Sequence, residues 1–364
     1  QGQIATLIMG ADAAWGESQG PVAPNALPQR SKITSDIIDA IASKIEAGGK
    51  VALLLEHHGV SPEALANASK ISAKTGCRLF TGTFPARVDG GPGNPEVERL
   101  PYFPEQVLQT LTGLDHLVLV GGEPPASFFA YRGIPGQLVP EGCTVSRLTQ
   151  NEEDAVDALS RLADRLGAAA ETVKTFERRV TPRPTGPLDT KSIIQAVAAT
   201  MPAGLIVATD SGGGNAAHAY CQNAESNSWL SLTGGAIGQG GPVATGAALA
   251  CPDRPVLAML GDGGAAYTNQ SFWTQARENL NVTTLIFANH SYNILNVEYA
   301  RLGVKEVGEI AASLFDIGNP ELDWVAMAKG FGVQGAHAKD AEDLCRLLEE
   351  SYKTPGPFVI QARA

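Results

Sequence analysis

Two side chains in this 364-residue sequence are spaced for metal chemistry. Asp262 follows the apolar run Val256 to Leu260 inside Gly261-Asp262-Gly263-Gly264, so glycines flank a carboxylate at the end of a buried strand. That is the edge at which parallel α/β sheets hold their ligands. Asn289 closes the next apolar run, Thr283 to Ala288, on the same edge. If the two strands are neighbours joined by a right-handed crossover through a helix from Thr268 to Leu280, carboxylate and amide converge on one small hard cation. An EF-hand loop beginning at Asp262 is excluded, because its twelfth residue is Trp273 rather than an acid.

The elements that would position this pair are legible as alternating helices and strands. Residues 1–30 open with a strand-like phrase, Ile4 to Gly10, and a proline-bearing linker. From Ser31 to about Gly167 come an amphipathic run Ile33 to Ala47, a strand Val51 to Glu56, a helix Pro62 to Thr75 and strands at Cys77 to Phe80, His116 to Val120 and Cys143 to Thr149. This predicts a Rossmann-like domain over 31–170. The proline-rich segment Arg178 to Asp189 reads as part of a linker over 171–188. A second domain, 189–364, follows: helix Thr190 to Met201, strand Leu205 to Asp210, a glycine loop Ser211 to Asn215, a strand near Trp229, helix Gly241 to Cys251, the Asp262 and Asn289 strands, helices near Ile310, Asp323 and Asp340, and a last strand from Phe358. The fold class expected is α/β, two doubly wound parallel-sheet domains.

The spacing of Gly-Asp-Gly, 25 residues and an asparagine resembles the magnesium and diphosphate signature of thiamine diphosphate enzymes, in the branch holding acetolactate synthase and benzoylformate decarboxylase. With strand, turn, helix, strand and asparagine all in that spacing, a mere capping role for Asp262 is disfavoured. The resemblance implies that Asp262, Asn289 and the backbone carbonyl of Ser291 bind Mg²⁺, which takes octahedral oxygen ligands. It implies cofactor contacts at Asp210, Ser211, Gly212, Gly213, Gly261, Gly263, Gly264 and Tyr292, the glycine segments through N–H groups and a helix start that face the diphosphate and Tyr292 through a hydroxyl nearer the substrate. In Thr233 to Gly238 it implies that Ile237 wedges between the two rings of the cofactor and that Gly235 accepts a hydrogen bond from the pyrimidine amino group. Leu295, six residues past Asn289, would stand beside the substrate. The activating glutamate of the family lies in a pyrimidine-binding domain. On this resemblance residues 1–30 are the tail of that domain, which precedes Gln1, so this chain alone is expected to be inactive.

Three positions depart from the family wording. Ala288 replaces the first of two asparagines, with His290, read as a solvent-facing loop residue, after the second. Leu295 stands where pyruvate decarboxylases have glutamate, and Glu298 where acetolactate synthases have tryptophan. Ser291 to Leu295 looks more like the benzoylformate decarboxylase version. The function expected is decarboxylation or carboligation of a 2-oxo acid, acetolactate synthase-like, with a benzoylformate decarboxylase-like lyase as the alternative. A non-catalytic cofactor-binding or oligomerising fragment is the alternative of another class. FAD is not expected, because Val120 to Gly136 does not match the flavin-binding wording and Phe128, Phe129 and Tyr131 read as core or interface residues. Gly121-Gly122-Glu123 is rejected as a dinucleotide turn for want of a third glycine, and His57 and His58 read as loop or core histidines.

Composition narrows the classes. A formal net charge of −11 with both signs mixed along the chain argues against nucleic-acid binding, and leaves an anionic cofactor to be held by local N–H groups and a cation. Five cysteines, at 77, 143, 221, 251 and 345, form no metal motif and read as reduced thiols of a cytoplasmic protein. No run of 18 apolar residues predicts a membrane span. A homodimer or homotetramer is the expected assembly.

Overall fold

The structure, a computed structural model, describes residues 6–363. Apolar runs four to seven residues long become strands whose alternate side chains face opposite layers, which is why they read as continuous rather than alternating hydrophobic text. In the first half the order is α1 (Ala11–Trp15), α2 (Ser35–Glu46), β1 (Val51–Leu55), α3 (Pro62–Thr75), β2 (Arg78–Thr81), β3 (Val88–Gly90), β4 (Glu98–Arg99), α4 (Pro104–Leu111), β5 (His116–Val120), β6 (Thr144–Thr149) and α5 (Ala155–Arg165). Five of the strands form a parallel sheet in the order β4-β2-β1-β5-β6. Val51, Leu53 and Leu55 pack with residues of α2, α3 and α5 on one face. Ala52 and Leu54 pack with Val107 and Leu111 of α4 on the other.

The second half runs α6 (Thr190–Thr200), β7 (Leu205–Thr209), α7 (Gly212–Cys221), β8 (Asn227–Leu230), α8 (Gly240–Ala250), β9 (Val256–Gly261), α9 (Asp262–Tyr267), α10 (Ser271–Arg277), β10 (Val282–Ala288), α11 (Asn293–Arg301), α12 (Glu309–Phe315), α13 (Trp324–Gly330), β11 (Gln334–Ala338), α14 (Ala341–Lys353) and β12 (Phe358–Arg363). Its sheet has the order β11-β12-β10-β9-β7-β8-β3. Leu257, Met259, Leu285 and Phe287 face α6, α7 and α14. Val256, Ala258, Leu260 and Ile286 face α8, α10 and α13. Both halves are thus parallel-sheet α/β layers covered on both faces.

Three local readings are corrected. Of the strand expected over Ile4 to Gly10, the first residues lie outside the described ones, and residues 6–10 have no ladder partner; an isolated strand has nothing to satisfy its backbone. Ser211 to Asn215 is not a loop but the cap and first turn of α7: the Gly214 N–H donates to Ser211 Oγ at 3.0 Å. The helix expected from Thr268 to Leu280 is shortened to α10, Ser271–Arg277, with the Thr268 hydroxyl donating to the Gly238 carbonyl at 2.5 Å ahead of it. The parallel sheet of the second half also carries one antiparallel edge strand, β3, which pairs with β8, Val88 opposite Trp229.

Candidate functional site

β9 and β10 are parallel neighbours, Phe287 opposite Gly261, so both carboxyl ends open on one edge of the sheet. Asp262 begins α9 at the end of β9 and is 3% exposed. Its Oδ1 accepts the Gly263 N–H at 2.8 Å and its Oδ2 accepts the His290 N–H, from beyond β10, at 2.7 Å. Burial raises its pKa, and the Gly263 and His290 N–H groups oppose that rise. Asp262 takes part in no ion pair among the described residues. The two backbone N–H groups offset part of the cost of burying this charge, and a cation beside it would offset more.

Asn289 follows β10 in an exposed turn, where its Oδ1 accepts the Ser291 N–H at 3.1 Å. The Ser291 hydroxyl accepts from Asn296 Nδ2 at 3.2 Å. His290 is half-buried with a positive φ of 54°, its ring 3.5 Å from Glu321. It is therefore not the solvent-facing residue expected, and its backbone N–H, missed by sequence reasoning, holds Asp262. Only its left-handed conformation hints at this, and no sequence signal specifies that. The described residues hold no group of three His, Cys, Asp or Glu side chains placed for a metal, so any cation here would be held by mixed oxygen donors, the set a hard ion prefers.

The two glycine segments meet this turn from the side. Asp210, at the end of β7, accepts the N–H groups of Gly238 and Gly240 through Oδ2 at 2.9 and 3.1 Å, which braces the Thr233 to Gly238 segment. Its Oδ1 is buried without a partner, and burial raises its pKa. A Cβ on Gly264 would lie 3.3 Å from that Oδ1 and 3.5 Å from Ile237 Cγ2, so Asp210, Ile237 and Gly264 come together beside Asp262. Ile237 is nevertheless 50% exposed, an apolar side chain held out over a glycine turn. Gly235, at φ 70°, uses its carbonyl to accept the Ile237 N–H at 3.0 Å.

Other expected residues play different parts. Ser211 Oγ is committed to capping α7 and to the Met259 carbonyl at 3.3 Å. Gly212 faces open space, whereas a Cβ on Gly213 would lie 2.9 Å from the Phe287 ring, so that glycine is required by packing. The Gly263 N–H, expected to face a phosphate, is taken by Asp262. A Cβ on Gly263 would lie 2.5 Å from the Tyr292 ring, which lies against that backbone, and a Cβ on Gly261 would meet Ser211 Cβ at 3.9 Å. Leu295 sits in the first turn of α11, 40% exposed.

α11 is anchored to the first half of the chain. The Tyr131 hydroxyl donates to Glu298 Oε2 at 2.9 Å, and the Arg301 guanidinium lies 4.3 Å over the Phe103 ring and 4.5 Å over Tyr131 while pairing with Glu105 at 3.0 Å. Glu298, marked in the sequence only as a departure, is thus tied to Tyr131, a residue expected in a core or an interface. Of the aromatics expected in a core or an interface, Phe128 and Phe129 are about half exposed, at 48% and 57%.

The family described as thiamine pyrophosphate enzyme, C-terminal TPP binding domain, matches residues 210–362. The chain is 40% identical over 361 residues to the Mycobacterium tuberculosis protein named "Putative acetolactate synthase large subunit IlvX", covering 98% of this chain and 69% of that one. It is 29% identical over 313 residues to benzoylformate decarboxylase of Pseudomonas aeruginosa, covering 81% of this chain but only 54% of the relative. The thiamine diphosphate-dependent 4-hydroxybenzoylformate decarboxylase of Rhodococcus jostii shares the fold with a TM-score of 0.74 at 22% identity, over 93% of this chain and 66% of that one.

Proposed function

This chain belongs to the thiamine pyrophosphate enzymes, among relatives of acetolactate synthase and benzoylformate decarboxylase, and from that we propose that it holds thiamine diphosphate and Mg²⁺ for the decarboxylation or carboligation of a 2-oxo acid. The observation that carries the reading is Asp262: a carboxylate buried without an ion-pair partner at the shared edge of β9 and β10, beside the Asp210, Ile237 and Gly264 cluster. Asp262, Asn289 and the Ser291 carbonyl are the proposed oxygen ligands of Mg²⁺. When bound, the cofactor supplies the electron sink for breaking the bond next to a 2-oxo group.

The chain's own residues bind and orient. The N–H groups of Gly212 and Gly213 open the ten-residue helix α7 and present its positive end to an anion. Asp210 braces the Ile237 segment through two backbone N–H groups, so that Ile237 would be held in place against the cofactor when it is bound. Tyr292 lies against the Gly263 backbone, next in the chain to Asp262, and would help to shield that turn from water. Acetolactate synthase-like carboligation is supported by the relative that is 40% identical over nearly the whole chain. A lyase of the benzoylformate decarboxylase kind is the second reading, favoured by Glu298: Tyr131 and Arg301 fix a carboxylate where acetolactate synthases carry tryptophan. Homodimer or homotetramer formation belongs to the same proposal, because Tyr267, Trp273 and Ile310 are exposed. Cytoplasmic residence rests on the five unpaired thiols. No described helix is long and apolar enough to cross a membrane.

Calorimetric titration with thiamine diphosphate and Mg²⁺ tests the assignment on wild type and Asp262→Ala. Loss of a direct ligand is expected to weaken binding by at least the roughly 10- to 100-fold seen when an outer-shell partner is lost. Equal affinities would remove Asp262 from the site.

A further inference from the structure

The first sheet carries a cavity of about 290 Å³ at its carboxyl edge, far from Asp262 in sequence and lined in part by Glu56, Phe84, Tyr102 and Phe128. From β1 the chain goes outward to β2 and β4 on one side, then returns to β5 and β6 on the other, so the crevice beyond β1 and β5 is a point where parallel sheets take ligands. In many such sheets the crevice is bordered by glycines that admit a phosphate to the backbone. Here the chain's own carboxylate fills that room. Cβ atoms built on Gly82 and Gly122 would each lie 2.0 Å from an oxygen of Glu56, one from Oε1 and the other from Oε2.

Two acids border the cavity, and only one has a counter-charge. Glu123 pairs with Arg147 at 2.7 Å, and Arg147 also donates to the Gly122 carbonyl. Glu56 has no ion-pair partner among the described residues. Burial raises its pKa, a hydrogen bond from the Glu123 backbone opposes the rise, and the Glu123 charge adds to it. The other nearby cation, Arg99, is held by the Thr83 carbonyl and Asn215 Oδ1, with its guanidinium 5.7 Å over the Phe84 ring. The wall opposite the acid is aromatic: Phe84 and Phe128 are 5.2 Å apart, Tyr102 and Phe128 5.7 Å, and Phe128 is 48% exposed and so reachable from solvent.

We propose that this cavity binds a small organic cation, an ammonium group on an apolar body, with Glu56 as its counter-charge and the Phe84, Tyr102 and Phe128 rings as its wall. A half-buried carboxylate lacking a cation is costly, and an ammonium supplies both the missing charge and a partner for the ring faces. A phosphate-bearing ligand meets the opposite situation, since Glu56 repels it where the glycines would otherwise admit it. The site is independent of the thiamine diphosphate reading. It touches that region at one point, because Gly234 of the Ile237 segment also lines the cavity.

The probe is benzylammonium, titrated calorimetrically into the full chain beside its neutral isostere benzyl alcohol and the anion benzoate. The ammonium is expected to bind at least about ten-fold more tightly than the alcohol, with benzoate weakest. Glu56→Gln keeps the shape between the two glycines and is expected to bring ammonium affinity down to that of the alcohol. Phe128→Ala, at a half-exposed position, is expected to weaken the ammonium while the fold holds, and it tests the wall if Glu56→Gln fails to fold. No ammonium binding up to about 10 mM, an affinity at the limit of useful recognition, overturns the proposal. So does equal binding of the alcohol, undiminished ammonium binding by both variants, or displacement of the ammonium by FAD or ADP.

Discussion

Asp262 and His290 are joined across two neighbouring strands: the His290 N–H donates to Asp262 Oδ2 at 2.7 Å, from a backbone held at φ 54°. Non-glycine residues rarely take that conformation, and asparagine tolerates it best. His290→Asn is therefore expected to keep affinity for Mg²⁺ and thiamine diphosphate within about two-fold, since the backbone makes the contact. His290→Pro removes the N–H and forces φ negative, and is expected to weaken binding by about ten-fold or more, the worth of a hydrogen bond to a charged group. Calorimetry on both variants decides it. Equal losses would assign the role to the imidazole.

Gly263 and Tyr292 form a second link between the same two turns. A Cβ on Gly263 would sit 2.5 and 2.7 Å from ring carbons of Tyr292, closer than packed atoms come. Gly263→Ala is expected to destabilise by about 1–3 kcal/mol through overpacking. Tyr292→Ala removes the obstacle, so the double variant should recover part of that loss. Urea denaturation of the four proteins measures the coupling, expected at about 0.5 kcal/mol or more. Strict additivity would place the ring away from the turn.

Local text carried the layers of this fold, and non-local contacts did not show through it. Runs such as Val51–Leu55 and Val282–Ala288 are buried at every position because both faces are covered, and they are apolar but for Thr283 and Thr284, so strands and their parallel class are legible. Ser211 to Asn215 misled because a glycine run suggests a loop, whereas Thr209 and Phe287 press on Gly214 and Gly213 and a hydroxyl cap starts a helix there. β3 was hidden because its partner is distant: the Ser228 hydroxyl meets Asp89 Oδ1 at 2.6 Å across 139 residues. At the site, the ends of β9 and β10 were legible as positions, but the Asp210 brace on Gly238 and Gly240 and the turn at His290 depend on backbone geometry that no residue type specifies.

Arg301 ties α11 to the first half of the chain. Its two ring contacts are worth about 0.5–1 kcal/mol each, and its half-exposed pairing with Glu105 adds at most about 1 kcal/mol. Arg301→Ala is expected to raise amide exchange across residues 293–302 by about ten-fold, with little change in the strands. Arg301→Lys keeps the charge but not the planar fork, and should fall between. Unchanged exchange in Arg301→Ala would mean that the helix is held by other contacts.

His218 supplies a pH dependence with a definite sign. It is buried edge-on to Trp229 at 5.1 Å, with Gln222 Nε2 2.6 Å from its Nε2, and burial, helped by the Arg99 charge, pulls its pKa down to about 3. The unfolded chain takes up a proton at this residue below about pH 6.5, the ordinary histidine value, while the folded chain does not. Folding stability is therefore intact above that pH and falls as the pH drops from about 6.5 toward 3. The slope approaches 1.4 kcal/mol per pH unit, about 2 kcal/mol between pH 6.5 and 5. His58 and His116 shift in the same direction, so the comparison is with His218→Gln, which leaves them in place. Urea denaturation at pH 7.5, 6 and 5 should show the wild type losing about 2 kcal/mol more than the variant over that interval. Parallel loss in the two proteins would mean that His218 takes up its proton without leaving its buried position.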